Sequence, residues 1–171
     1  LGLHNILFSD DYKKEFDYLF SKQLPIEDPT IYINITSKYC KDDAPEGCEN
    51  WFVMVNVPHN KSESIHYAAA VRKNVVDKIN MMLKTDIEKY IISESTLSPI
   101  DIENQTSSFG GSLYGNSSNN KFAAFLRHAN FSSSIKNLFL VGGSVHPGGG
   151  IPLCLFSAKI ASQLIVEQEM K

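Results

Sequence analysis

Apolar and polar positions change their periodicity several times along the chain. From Asp10 to Phe20, apolar or aromatic residues fall at Tyr12, Phe16, Leu19 and Phe20, the spacing of one helix face. Ser9 or Asp10 is placed to cap its start. Pro25 and Pro29 predict an extended connection. Thr30 to Thr36 alternates Ile31, Ile33 and Ile35 with Tyr32, Asn34 and Thr36, which predicts a strand. Trp51 to Val57 is apolar at nearly every position and predicts a second strand, covered on both faces and central in its sheet. Pro58 ends it.

The strongest helical pattern runs from Ser62 to Leu83, with Ile65, Ala68, Ala69, Val75, Val76, Ile79, Met82 and Leu83 on one stripe. Asn60 and Glu63 have the spacing of a cap and its returning carboxylate. Arg72 falls on the apolar stripe, where it either meets a ligand or partner domain or lays its stem along the edge of the face. Glu88 to Glu94 predicts a third strand. Ser98-Pro99-Ile100-Asp101 predicts a helix start, with a capping hydroxyl, Pro in the first turn and an acid at the positive end of the dipole. A Gly/Ser/Asn-rich loop follows from Ser107 to Asn120. Phe122 to His128 reads as a helical turn or an irregular stretch.

The last element is the most informative. Asn137 to Val141 predicts a short buried strand, and a helix is predicted from about Ile151-Pro152 to Glu167. Between them, Gly142 to Gly150 holds five glycines in nine residues. Glycines remove side chains where a ligand or another backbone comes close. A helix start adds free N–H groups and a positive dipole end, so the turn can receive an anionic or electron-rich oxygen. A tight turn packed against a sheet explains the same residues equally well. Neither GxGxxG nor GxxxxGK[ST] occurs, so no pyrophosphate site is encoded.

Composition excludes several classes. The chain has 171 residues, 43% of them hydrophobic and 11% aromatic, enough for a core. A net charge of −3 without a basic run gives nucleic acid no footprint. Cys40, Cys48 and Cys154 show no zinc spacing, so no metal is expected; Cys40 and Cys48 could pair, but the three read as reduced thiols of a cytoplasmic protein. No apolar run reaches the ~20 residues of a membrane span. The start is not Met and has no charged n-region, so the expectation is a piece of a longer parent and not a signal peptide.

The run from Asn137 to Pro152 resembles the C-terminal signature of bacterial-type phytoene (carotenoid) desaturases and related FAD-dependent oxidoreductases. Ser157 to Ala161 continues the likeness. So do Gly110 to Gly115, His4-Asn5-Ile6, Phe8 to Tyr12, Asp28 to Tyr32 and Ala44 to Asn50. The resemblance implies an α+β (mixed α/β) fold. Residues 1–95 would belong to a substrate-binding domain, an antiparallel-type sheet with a covering helix. Residues 96–171 would return to complete a Rossmann-like FAD domain whose N-terminal unit lies elsewhere in the parent. It implies FAD as cofactor, lined by Gly142, Gly143, Ser144, His146, Gly149, Gly150 and Ile151. It implies an apolar polyene substrate, peripheral membrane contact of the parent, and the missing N-terminal FAD-binding part as partner. No residue is an obvious general base; His146 and Arg127 are the catalytic candidates, with His128 beside them. A retinol saturase or carotenoid isomerase type of enzyme, and a non-redox module for an apolar ligand or partner, are the alternatives.

Overall fold

The computed structural model describes residues 1–59, 67–115 and 127–170. It is an α+β protein that divides into two compact units, Leu1–Ser98 and Pro99–Lys171.

The first unit is built on a three-stranded antiparallel sheet, β1 (His4–Leu7), β2 (Ile31–Asn34) and β3 (Phe52–Val55), in the order β1-β2-β3. Register pairs His4 with Asn34 and Leu7 with Ile31 on one side of β2, and Ile31 with Val55 on the other. β2 is central because its β-branched residues alternate: Ile31 and Ile33, with Ile35 just beyond, are fully buried. They pack with Leu7 and with Ile79 of α2 (Tyr67–Leu83), flanked by Trp51, Val55, Val75, Leu83 and Ile87. Residues 62–66 of the expected helix, and the Asn60–Glu63 cap, lie outside the described residues.

Two expectations fail in this unit, and a third element changes its geometry. The uniformly apolar strand predicted at Trp51–Val57 is not central. β3 is at the edge, with Phe52, Val53 and Met54 exposed: Phe52 and Met54 lie on the sheet face opposite the one that carries Ile31 and Ile33 and is covered by α2 within the unit, and Val53, opposite Ile33, lies at the open edge. The segment from Glu88 to Glu94 is not a strand. Ile87–Tyr90 forms a 3₁₀ turn, its first N–H donating to Asn80 Oδ1 at 2.7 Å, and Glu94 is held in a two-point contact by Arg72 at 2.7 Å. Arg72 also reaches Glu88 at 3.2 Å, so the guanidinium on the apolar stripe is spent on acids of its own unit. The first helix forms where its pattern places it but changes geometry: α1 spans Tyr12–Phe16 and widens into a π-helical turn over Asp17–Lys22. Its cap is Asp11, which accepts from Lys14 N at 2.9 Å. Phe8, Tyr12, Phe16 and Phe20 form an exposed ridge of successive ring contacts at 6.5, 4.9 and 5.4 Å.

Two buried charges tie this unit together. Glu15 is 1% exposed and accepts both the N–H and the hydroxyl of Thr30, at 2.9 and 2.6 Å. Lys78 is 7% exposed and donates to Phe8 O, Asp28 Oδ1 and Pro29 O at 2.7, 2.5 and 2.9 Å, so all three ammonium hydrogens are used.

In the second unit, α3 (Pro99–Thr106) starts at the proline as the pattern predicts, with Asp101 in its first turn. A 3₁₀ turn follows at Phe109–Gly111. Residues 116–126, which include the end of the expected loop and most of Phe122–His128, lie outside the described residues. α4 (Ile151–Glu169) matches the predicted last helix. The buried strand expected at Asn137–Val141 does not form. Asn137 has φ 62°, a single antiparallel bridge joins Phe139 to Phe131, and Leu138 and Val141 are exposed. The short apolar run has no neighbouring strand to pair with among the described residues of the unit. No described helix is long and apolar enough to cross a membrane. The three cysteines are free thiols.

Candidate functional site

The glycine-rich turn lies between the Phe139 bridge and α4. Gly142, Gly148 and Gly150 have φ of 127°, 134° and 105°, a region closed to residues with a Cβ. The His146–Pro147 peptide is cis. Gly150 caps α4 without a side-chain bond, and Pro152 sits in the first turn. The N–H groups of Ile151 and Leu153 therefore meet no capping side chain, and they stand at the positive end of a nineteen-residue helix.

The glycines serve two different purposes. A Cβ at Gly142 or Gly150 would meet no atom within 4 Å, so bare backbone faces open space at both. At the other positions the crowding comes from the unit itself. A Cβ on Gly143 would sit 3.3 Å from Gly149 Cα, and one on Gly148 would sit 3.1 Å from Arg127 Nε. On Gly149 it would meet Tyr114 Cδ1 at 2.2 Å. Tyr114, Gly150, Ile151, Cys154 and Leu155 line an open, mostly apolar recess over the helix start. Ile151 is 79% and Leu155 68% exposed. The residues present thus fit a flat apolar ring with an electron-rich edge: bare backbone, an apolar recess and unpaired N–H groups occur side by side.

The turn is held from behind by polar side chains. Asn130, 3% exposed, donates through Nδ2 to Leu140 O at 3.0 Å, His146 O at 2.9 Å and Ser157 Oγ at 2.7 Å. Ser157, fully buried on α4, also accepts the Gly142 N–H at 3.2 Å. Arg127 Nη1 donates to Tyr114 O at 2.8 Å and Gly143 O at 3.1 Å, tying the earlier glycine-rich stretch to the turn. His128 and His146 are joined through backbone, His146 N to His128 O at 2.9 Å.

Gly142, Gly143, Ser144, His146, Gly149, Gly150 and Ile151 are therefore gathered on one turn, with Ser144, His146, Gly150 and Ile151 exposed. The Gly142 amide is engaged by Ser157 and is not free for a ligand. Arg127, half-buried, spends one terminal nitrogen on backbone carbonyls. Sequence reasoning missed Asn130 altogether and met Ser157 only as the first residue of the Ser157–Ala161 stretch that continues the likeness, a small polar residue on an apolar helix. Among the described residues, no group of His, Cys, Asp and Glu is arranged to hold a metal ion.

No family model matches the chain. It is 57% identical over 96% of its length to a 1-hydroxycarotenoid 3,4-desaturase of Flavobacterium sp. (strain P99-3). It is 35% identical to a 4,4'-diaponeurosporene oxygenase of Staphylococcus haemolyticus (strain JCSC1435) over its whole length, and 33% identical to a 4,4'-diapolycopene oxygenase of Methylomonas sp over 97%. The chain spans about a third of the length of each of these relatives, 34%. It is thus similar, over nearly all its residues, to a carotenoid desaturase, as the signature around the turn indicated, and also to carotenoid oxygenases.

Proposed function

We propose that this chain forms the C-terminal third of a FAD-dependent oxidoreductase that desaturates a carotenoid, and that the Gly142–Ile151 turn is its contribution to the flavin site. The likeness to the 1-hydroxycarotenoid desaturase, 57% identity along nearly the whole chain, is the observation that carries the reading. The oxygenases, at 33–35%, support the same class of polyene and make oxygenation of a carotenoid end the second reading.

Bound flavin would supply the acceptor for a hydride from the polyene. The chain's own part is to bind and orient. Gly142 and Gly150 present backbone without side chains to the ring, and Ile151 with Leu155 offers apolar surface to its rim. The N–H groups at the α4 start favour the electron-rich edge without a charged side chain. Gly143 and Gly149 shape the cradle, because their Cβ positions are filled by Gly149 and Tyr114. Ser144 and His146 are exposed on the same turn, and His146 is our candidate to take up the proton that leaves the substrate. Arg127 acts by holding Gly143 in place.

In this reading residues 1–95 belong to the substrate domain and residues 96–171 complete the FAD domain. The N-terminal FAD-binding part of the whole protein is their partner. Peripheral membrane contact of the whole protein belongs to the same proposal, and the exposed Phe8–Tyr12–Phe16–Phe20 ridge favours it.

The test is purification of the full-length protein and incubation with a 1-hydroxycarotenoid. We expect bound flavin, and a red shift of the carotenoid bands as one double bond joins the conjugated system. A flavin-free, catalytically silent protein overturns the reading; a product that gains oxygen with unchanged conjugation selects the oxygenase alternative.

A further inference from the structure

We propose that Asn130 and Ser157 are positioning residues for the cofactor, fixing the direction in which the Gly142–His146 turn meets the flavin. The proposal rests on the flavin site assigned above.

The pair sits behind the turn, 3% and 0% exposed, and touches neither the apolar recess nor open solvent. Its bonds link positions distant in sequence. Asn130 Nδ2 holds the carbonyl before the turn, Leu140 O, and the carbonyl at its end, His146 O. Because both partners are carbonyls, the amide orientation of Asn130 is fixed. Two hydrogens serve three acceptors, the third being Ser157 Oγ at 2.7 Å. That oxygen accepts a second time, from Gly142 N at 3.2 Å. The backbone of Asn130 adds a further tie, since its carbonyl accepts from Leu140 N at 2.9 Å. Entry and exit of the turn thus converge on one point of α4.

An apolar pair would fill the same volume without the cost of burying two polar side chains. What it would not supply is direction. Gly142, at φ 127°, has more backbone freedom than any residue with a side chain, and its bond to Ser157 orients the peptide plane there. Gly142 is also one of the two glycines of the turn whose bare face is open. A small rotation at this residue would re-aim that face while leaving α4 intact.

The test uses the full-length holoprotein with Ser157→Ala, a smaller residue that favours helix and introduces no clash. Three quantities are read: the Kd for FAD after deflavination, the visible circular dichroism of the bound flavin, and the melting temperature of the flavin-free protein. We expect FAD affinity to weaken about fivefold, the scale of one neutral hydrogen bond, with an altered flavin dichroism band. Asn130→Ala should do the same and decides the matter if Ser157→Ala does not fold. A lowered melting temperature with unchanged Kd and unchanged dichroism in both variants overturns the proposal and leaves a purely structural hub. Failure of both to fold, while Ile151→Glu folds normally, counts the same way. Ile151→Glu separates the premises, because Ile151 is 79% exposed and its change strains no backbone: if it leaves FAD affinity unchanged, the flavin site itself is misplaced. If it weakens FAD and Ser157→Ala does not, only the positioning role fails.

Discussion

Replacing Lys78 by Met removes the ammonium that joins the end of β1, the Asp28–Pro29 connection and α2, and keeps most of the side-chain volume. Three hydrogen bonds disappear. Phe8 O and Pro29 O are neutral acceptors in a largely dry site, and each costs about 1 kcal/mol when left without its donor. The bond to Asp28 is charge-assisted, but that carboxylate is 40% exposed and recovers water, so only about 1 kcal/mol is assigned to it. The expected loss is about 3 kcal/mol, roughly two decades in the folding equilibrium. Urea unfolding followed by the fluorescence of Trp51, the one tryptophan of the chain, reads it directly, because Trp51 packs against the core that Lys78 secures. Lys73→Met is the control: Lys73 is exposed and paired with Asp77 four residues on, so its loss should leave the urea midpoint nearly unchanged. Titration adds a second reading. Burial pushes the Asp28 carboxyl up, but the Lys78 ammonium, the Asp10 N–H and the Ser9 hydroxyl together hold it below its ordinary 3.8. A carboxyl depressed in the fold stabilises above its unfolded value and loses that contribution as pH falls through its folded value. The wild-type chain should therefore lose more stability than the Lys78→Met variant as pH drops below 3.8. A Lys78→Met cost under about 1 kcal/mol, or identical acid profiles, would refute this accounting.

Further outcomes follow from the same contacts. Gly149→Ala should destabilise the second unit, and Tyr114→Ala in the same chain should recover much of the loss, since the inserted Cβ strikes the Tyr114 ring; simple additivity in a double-mutant cycle of melting temperatures would contradict the contact. Arg72→Met should cost far less than Lys78→Met despite its two-point bond to Glu94, because the pair is well exposed. That cost should shrink further in high salt, which a salt series of urea midpoints checks. The chain on its own should purify without bound flavin; a stoichiometric flavin spectrum would show that the turn binds the cofactor unaided.

How far the sequence discloses this arrangement depends on whether a residue's role is local. β2 and α4 are legible because their signals are periodic: the isoleucines alternate along a half-buried strand, and Pro152 with the glycines before it marks a helix start. The β3 strand misleads because an apolar run reports coverage from anywhere in the whole protein, and unit 1 covers one face only. Glu88 to Glu94 misleads for a different reason: its β-propensity yields to tertiary bonds from Asn80 and Arg72. Within the site, the turn is evident from its glycines, but which of them face open space is not. Tyr114 fills the place beside Gly149 from a distant stretch of chain. Asn130 is the least legible of all, a single polar residue whose three acceptors lie ten to twenty-seven positions away. Lys78 was open to detection, since it interrupts the apolar stripe of α2 between Val75, Val76 and Ile79.

A holo structure of the full-length protein tests the central claim most directly. It should place the isoalloxazine in van der Waals contact, about 4 Å, with the backbone of Gly142 and Gly150 and with Ile151. A ring bound elsewhere, with solvent or another part of the polypeptide over those residues, would contradict it.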